Sequence, residues 1–126
     1  LREGDVDFEV RLKLDDENEI VAVITRDSAE TMGLTIGMEI TALVKSSSVL
    51  LLNYRTVRTT ARNHLWGEIT RIHDGPVNAE VTLALSGGRS VCAVVTHDSV
   101  EKLGLAVGEQ VCALFKASAV ILCLYQ

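Results

Sequence analysis

Three features of the sequence predict an all-β protein of two tandem small barrels, each carrying one short helix. A unit is written twice, its apolar runs are short with strand-type alternation, and β-branched residues stand where aromatics might. The repeat organises the rest. Thr25-Arg26-Asp27-Ser28 matches Thr96-His97-Asp98-Ser99, while Gly33, Gly37 and Lys45 match Gly104, Gly108 and Lys116, every pair 71 positions apart. Residues 1–55 align with 72–126 without a gap, and roughly two-fifths of the aligned positions are identical, more than chance gives over such a window. The division that follows is a first subdomain at 1–54, a linker at 55–58 and a second subdomain at 59–126.

The second copy holds every element. Thr60 to Ile72 is its opening strand, with Trp66, Ile69 and Ile72 apolar and Gly67 interrupting the alternation as a bulge would. Asp74-Gly75-Pro76 is a turn. Val77 to Leu85 places Val77, Ala79, Val81, Leu83 and Leu85 on one face and Asn78, Glu80 and Thr82 on the other, a half-buried strand. Ser86-Gly87-Gly88-Arg89 closes a hairpin onto the returning strand Ser90 to Thr96. Asp98 with Glu101 three residues later has the form of a capping box, and Gly104 stops a very short helix. Gln110 to Phe115 and Ala119 to Tyr125 complete five strands, separated by Lys116-Ala117-Ser118. Five short strands with one small helix after the third describe an OB-like barrel, a closed form that hides its edges. The first copy begins at Leu1, opposite Ile72, so it lacks a counterpart of Thr60 to Arg71. Its barrel is expected to miss its opening strand within this chain, most simply because that strand lies upstream of Leu1.

Composition narrows the function. Hydrophobic residues make up 48%, charged residues 23% and aromatics 4%, so the chain folds, with Val, Ile, Leu and Ala as its core. No apolar run approaches the roughly 20 residues that span a bilayer, and no leader pattern opens the sequence. The expected compartment is the cytoplasm, with no membrane partner. A net charge of −5 supplies no basic surface, so direct nucleic-acid binding is not expected. Cys92, Cys112 and Cys123 fall in apolar runs without CxxC spacing and read as reduced core thiols. His64, His73 and His97 are scattered over different elements, so neither a bare-metal site nor a Ser/His couple is indicated, and no nucleophile has a base beside it. The protein is read as a binding protein and not an enzyme, with no cofactor.

Three polar clusters remain. They are Thr60 with Arg62, Thr96 with Ser99 (repeated as Thr25 with Ser28), and Lys116 with Ser118 (repeated as Lys45 with Ser46 and Ser47). Each has an ordinary alternative: a helix cap for Thr96 and Ser99, a solvated turn charge for Lys116, a surface ion pair for Arg62. Together they suit a tetrahedral dianion, which needs hydroxyl, N–H and one or two cationic donors aimed inward.

The residues Thr60-Ala61-Arg62-Asn63 with Gly67, Gly75-Pro76-Val77-Asn78-Ala79-Glu80-Val81, Ala93-Val94-Val95-Thr96-His97-Asp98-Ser99, Leu103-Gly104-Leu105 with Gly108, and Lys116-Ala117-Ser118 with Val120-Ile121-Leu122 resemble the Mop domain of the molbindins. The resemblance covers the whole second copy and, less its first strand, the first. It implies tandem OB-like barrels that bind molybdate or tungstate at the subunit interfaces of a homo-oligomer, trimer or dimer, for storage, buffering or homeostasis. By the same resemblance Thr60, Ala61 and Arg62 with Lys116, Ala117 and Ser118 form one wall of a site, and Thr25 and Ser28, or Thr96 and Ser99, the other. Lys45 and Ser46 serve the first copy. Thr60 stands where the family has Ser. The alternative reading is the molybdate-sensing part of a transcription regulator whose DNA-binding part lies upstream.

Overall fold

The computed structural model describes residues 2–3, 6–15, 17–53 and 58–124, and of Arg2 and Glu3 the backbone only. Of the expected linker, 55–57 lie outside the described residues. In chain order the elements are β1 (Arg2–Glu3), β2 (Asp7–Lys13), β3 (Glu19–Thr25), α1 (Arg26–Met32), β4 (Thr41–Val44), β5 (Leu50–Leu52), β6 (Asn63–Asp74), β7 (Asn78–Ala84), β8 (Ser90–Thr96), α2 (His97–Leu103), β9 (Gln110–Phe115) and β10 (Val120–Cys123). Short 3₁₀ turns occupy Ser46–Ser48, Ser86–Gly88 and Ala117–Ala119. No helix among the described residues is long and apolar enough to cross a membrane.

These elements make two compact units, Leu1–Val44 with Lys116–Gln126, and Lys45–Phe115. The units are not the contiguous repeats, because the last strand of each repeat is exchanged. β5, from the first repeat, pairs with β9 through Leu50↔Leu114, Leu51↔Ala113 and Leu52↔Cys112. β10, from the second, pairs with β4 through Ile121↔Leu43, Leu122↔Ala42 and Cys123↔Thr41. Residue for residue the two registers are equivalent. Repeats this similar offer either strand the same apolar seat, so periodicity alone does not decide which repeat's strand fills it.

In the 45–115 unit an antiparallel sheet runs β5-β9-β6-β7-β8. β7 buries Ala79, Val81 and Leu83 as its alternation predicts, whereas Val77, expected on the same face, precedes the strand and is exposed. β6 buries Asn63, Leu65, Gly67 and Ile69 on one face. Its bulge is at Thr70, where pairing steps from Ile69↔Leu83 to Arg71↔Thr82, and not at Gly67. Gly67 answers a different demand: a Cβ there would stand 2.7 Å from the Ala84 carbonyl oxygen, so two backbones approach where no side chain fits. β8 packs against β5 and Ser46–Ser48, curling the sheet toward a barrel. No ladder joins β5 to β8 among the described residues, so the closed barrel expected from the strand count is an open one.

The other unit holds β1-β2-β3 and the pair β10-β4, with Ala117–Ala119 and β10 packed on β3. Arg2↔Glu9 and Glu3↔Phe8 reproduce the register of His73↔Glu80 and Asp74↔Ala79. β1 is therefore the counterpart of the end of β6.

Two hairpin turns are closed by different chemistry. Gly87 and Gly88 take φ of 75° and 76° in the β7–β8 hairpin, a region closed to most side chains. In the β2–β3 hairpin Asp15 instead accepts from the backbone N–H groups of Glu17 and Asn18, at 2.9 and 2.7 Å, an Asx-type turn.

Candidate functional site

Both helices start identically. Thr25 and Thr96 are the N-caps, and each Oγ1 accepts the N–H three residues on, from Ser28 and from Ser99, at 3.1 Å. This corrects the capping-box expectation, for Asp98 lies inside the first turn and caps nothing. A Thr preceding the helix reaches N3 from extended backbone, which Asp98, already helical, cannot do. Thr25 Oγ1 lies 2.9 Å from Ser28 Oγ and Thr96 Oγ1 lies 2.8 Å from Ser99 Oγ. Where the threonine hydroxyl donates within the pair, the serine O–H is the donor left to point outward. The ordinary reading of the threonines as caps is thus correct, and capping uses the backbone N–H of each paired serine and not its O–H.

Thr60, Ala61 and Arg62 precede β6, with a bend at Thr60, and are not part of the strand expected from residue 60. The β6–β9 ladder begins at Asn63↔Phe115, beyond which Lys116 turns toward the 3₁₀ segment and offers no continuing partner strand. Thr60 and Arg62 are exposed and Ala61 half-buried, whereas Asn63 is 1% exposed, the buried polar residue of the described core. The Ala61 N–H donates to Thr59 Oγ1 at 2.9 Å, and His64 Nε2 lies 2.8 Å from the Ala61 carbonyl oxygen.

Lys45 and Lys116 each precede a 3₁₀ turn in extended conformation, and both are exposed. Ser46 is half-buried and Ser118 exposed. Ala117 is 6% exposed, with its methyl in the core, so only its backbone is available to a ligand. The exchange of strands re-sorts these groups. One unit holds Thr25 and Ser28 with Lys116, Ala117 and Ser118; the other holds Thr96 and Ser99 with Lys45, Ser46 and the Thr60–Arg62 segment. Each Lys-bearing turn packs on the strand that leads into the other repeat's Thr-x-x-Ser pair, Ser46–Ser48 on β8 and Ala117–Ala119 on β3.

Two groups escaped the sequence reading. His97 Nδ1 lies 2.8 Å from Asp74 Oδ1 and its Nε2 2.9 Å from Glu101 Oε1. The hydrogen bond to Asp74 and that carboxylate's charge, helped by Glu101, raise the imidazole pKa above its ordinary 6.5. In the first repeat Arg26 takes this place and pairs with Glu30 at 3.3 Å; the shared i,i+4 spacing of 26 with 30 and 97 with 101 was the available signal. His64 is the second, and no spacing rule announces it. Burial raises the Cys112 thiol pKa, as for an inert core cysteine. Among the described residues no group of three or more His, Cys, Asp or Glu side chains could hold a metal ion.

The TOBE domain model matches this chain at residues 1–51 and 59–122. The chain is 62% identical over 125 residues to the molybdenum transport protein ModE of Azotobacter vinelandii, an alignment covering 99% of this chain and 46% of that one. It is 48% identical over 120 residues to the molybdenum-pterin-binding protein MopA of Rhodobacter capsulatus, covering 94% and 45%. The chain thus spans about half the length of these curated relatives. Among solved structures, the cytoplasmic molybdate-binding protein ModG with molybdate bound superposes with a TM-score of 0.92 at 43% identity, over 96% of this chain and 86% of that one.

Proposed function

Since the chain belongs to the TOBE-domain family, we propose that it is a binding protein, not an enzyme, that captures molybdate or tungstate reversibly in the cytoplasm for storage or homeostasis. The observation that carries this is that each compact unit holds a capped Thr-x-x-Ser pair together with a Lys-led 3₁₀ turn from the other repeat. Hydroxyls, backbone N–H groups and a single cation match a tetrahedral dianion without surplus positive charge. The candidate ligands are Thr60, Ala61, Arg62, Thr96, Ser99, Lys45 and Ser46 in one unit and Thr25, Ser28, Lys116, Ala117 and Ser118 in the other. A second copy of the chain supplies the facing wall, which makes the functional form a homo-oligomer.

Titration calorimetry with molybdate, tungstate and sulfate tests the proposal. Molybdate and tungstate bind at micromolar concentration; silence from both overturns it. Charge-assisted hydrogen bonds are the strongest the site can make, so Arg62→Ala weakens binding roughly 10- to 100-fold, more than any loss of a neutral hydrogen bond.

A further inference from the structure

We infer that Asp98 and Arg58 form an ion pair between copies of this chain, seating the wall that carries Thr96 and Ser99 against the Thr60–Arg62 segment of a second copy; the inference rests on the oxyanion reading above. Asp98 is exposed in the first turn of α2, between the two hydroxyls of its Thr-x-x-Ser pair. It caps nothing, and among the described residues its carboxylate makes no hydrogen bond or ion pair. A carboxylate beside Ser99 repels a dianion, so on its own it weakens the site in which it stands. Its surroundings add to the cost. Asp74 and Glu101 lie 2.8 and 2.9 Å from the ring of His97, so three carboxylates share this wall with one imidazole. In the first repeat Asp27 stands at the equivalent position, but beside Arg26, whose guanidinium pairs with Glu30. The wall at Thr96 is the more acidic of the two.

The complementary charge lies in the same 45–115 unit. From Arg58 to Gly67 the chain holds Arg58, Arg62 and His64 and no acid, in a protein of net charge −5. Arg58 is exposed and, like Asp98, makes no hydrogen bond or ion pair among the described residues. It precedes Thr60 by two residues, while Asp98 adjoins Ser99. Consecutive Cα atoms stand about 3.8 Å apart, so one oxyanion held by Thr60–Arg62 of one copy and by Thr96 and Ser99 of another brings both charges within a side chain's reach of each other. Arg58 then cancels the carboxylate that the anion would otherwise meet, and capture is coupled to association.

The same wall offers an apolar contact. Val77 is 70% exposed beside the start of α2, its carbonyl accepting the His97 N–H at 2.8 Å; Val6 repeats this in the other unit, 70% exposed and accepting the Arg26 N–H at 2.7 Å. An apolar contact rimmed by complementary charge is the ordinary composition of a subunit interface. Each copy carries both charges, so two copies pair reciprocally.

Sedimentation equilibrium of the full chain over a concentration series, with and without molybdate, tests the pair. Arg58→Glu and Asp98→Lys each raise the dissociation constant for self-association about tenfold or more, because each sets like charges face to face. The double variant Arg58→Glu/Asp98→Lys, with the pair reversed, returns to within about threefold of the parent. Asp27→Lys has the smaller effect; one exceeding that of Asp98→Lys overturns the assignment. Parental association in Asp98→Lys, or a double variant as weak as the two single changes combined, overturns the inference. A lowered melting temperature with association intact would assign Asp98 to the helix dipole alone. A parent chain that binds molybdate as a monomer also overturns it. If the parent self-associates but binds neither molybdate nor tungstate, the oxyanion reading falls, and the reversed pair still decides the contact.

Discussion

β9 and β4 are one strand of the repeat in two settings. Ala113 and Leu114 match Ala42 and Leu43, yet Leu114 is 3% exposed and Leu43 46%. β9 lies between β5 and β6, and everything from Val111 to Phe115 is buried; β4 has β10 on one side and, among the described residues, no strand on the other. The burial of a strand is thus conferred by its neighbours, and its own side chains only permit it. The flanking strand β6 is also what carries the Thr60–Arg62 segment, so the completeness of the sheet and the richness of the proposed anion site go together.

The largest effect that sharpens this comparison is a matched pair of core truncations. Leu83 on β7 is fully buried, and its counterpart Leu12 on β2 is 8% exposed. Leu83→Ala should cost about 2–5 kcal/mol, with Leu12→Ala at the lower end because its surroundings can collapse or hydrate more easily. Amide exchange, read separately for β7 and β2, gives each unit its own opening free energy. A larger loss in β2 would break the comparison.

Next comes a pair of effects expected to be equal. The caps at Thr25 and Thr96 have the same geometry, so Thr25→Ala and Thr96→Ala should each cost about 1 kcal/mol. Ser99→Ala separates capping from ligand capture, because the cap uses the backbone N–H of Ser99 and not its hydroxyl. Its melting temperature stays near that of the parent while molybdate affinity falls. Equal losses of stability in Ser99→Ala and Thr96→Ala would assign that hydroxyl to the fold alone.

The repeat, the order of strands within it and both helix stops were legible because each leaves a local mark: constant spacing, alternation, Gly33 and Gly104 in left-handed backbone. The exchange of β5 and β10 was not legible, since Leu50-Leu51-Leu52 and Ile121-Leu122-Cys123 fit the same seat. Gly67 was visible as an anomaly but its cause was not, because the Ala84 carbonyl that forbids a side chain comes from another strand. In the candidate site the Thr-x-x-Ser pairs and the Lys-led turns were readable from their recurrence. His97 reads as scattered because Asp74 lies 23 residues away, and only the β6–β7 and β7–β8 pairings together bring the two into contact.

The smallest effect concerns that histidine, where the two repeats differ in kind. In the first repeat the place is held by Arg26, whose guanidinium pairs with Glu30. His97 has its pKa raised, first by the hydrogen bond to Asp74 and then by that carboxylate's charge. A raised folded-state pKa means that the stabilisation is fully present below the unfolded value near 6.5 and is lost as pH rises through the higher folded value. The groups are solvent-exposed, so the effect is modest and weakens with salt. An NMR titration should place the His97 midpoint above 6.5, and His97→Arg should flatten the change in melting temperature between about pH 6 and about pH 8. A midpoint at or below the ordinary value would show that Asp74 does not hold the imidazolium in solution, and the two repeats would then differ here in sequence alone.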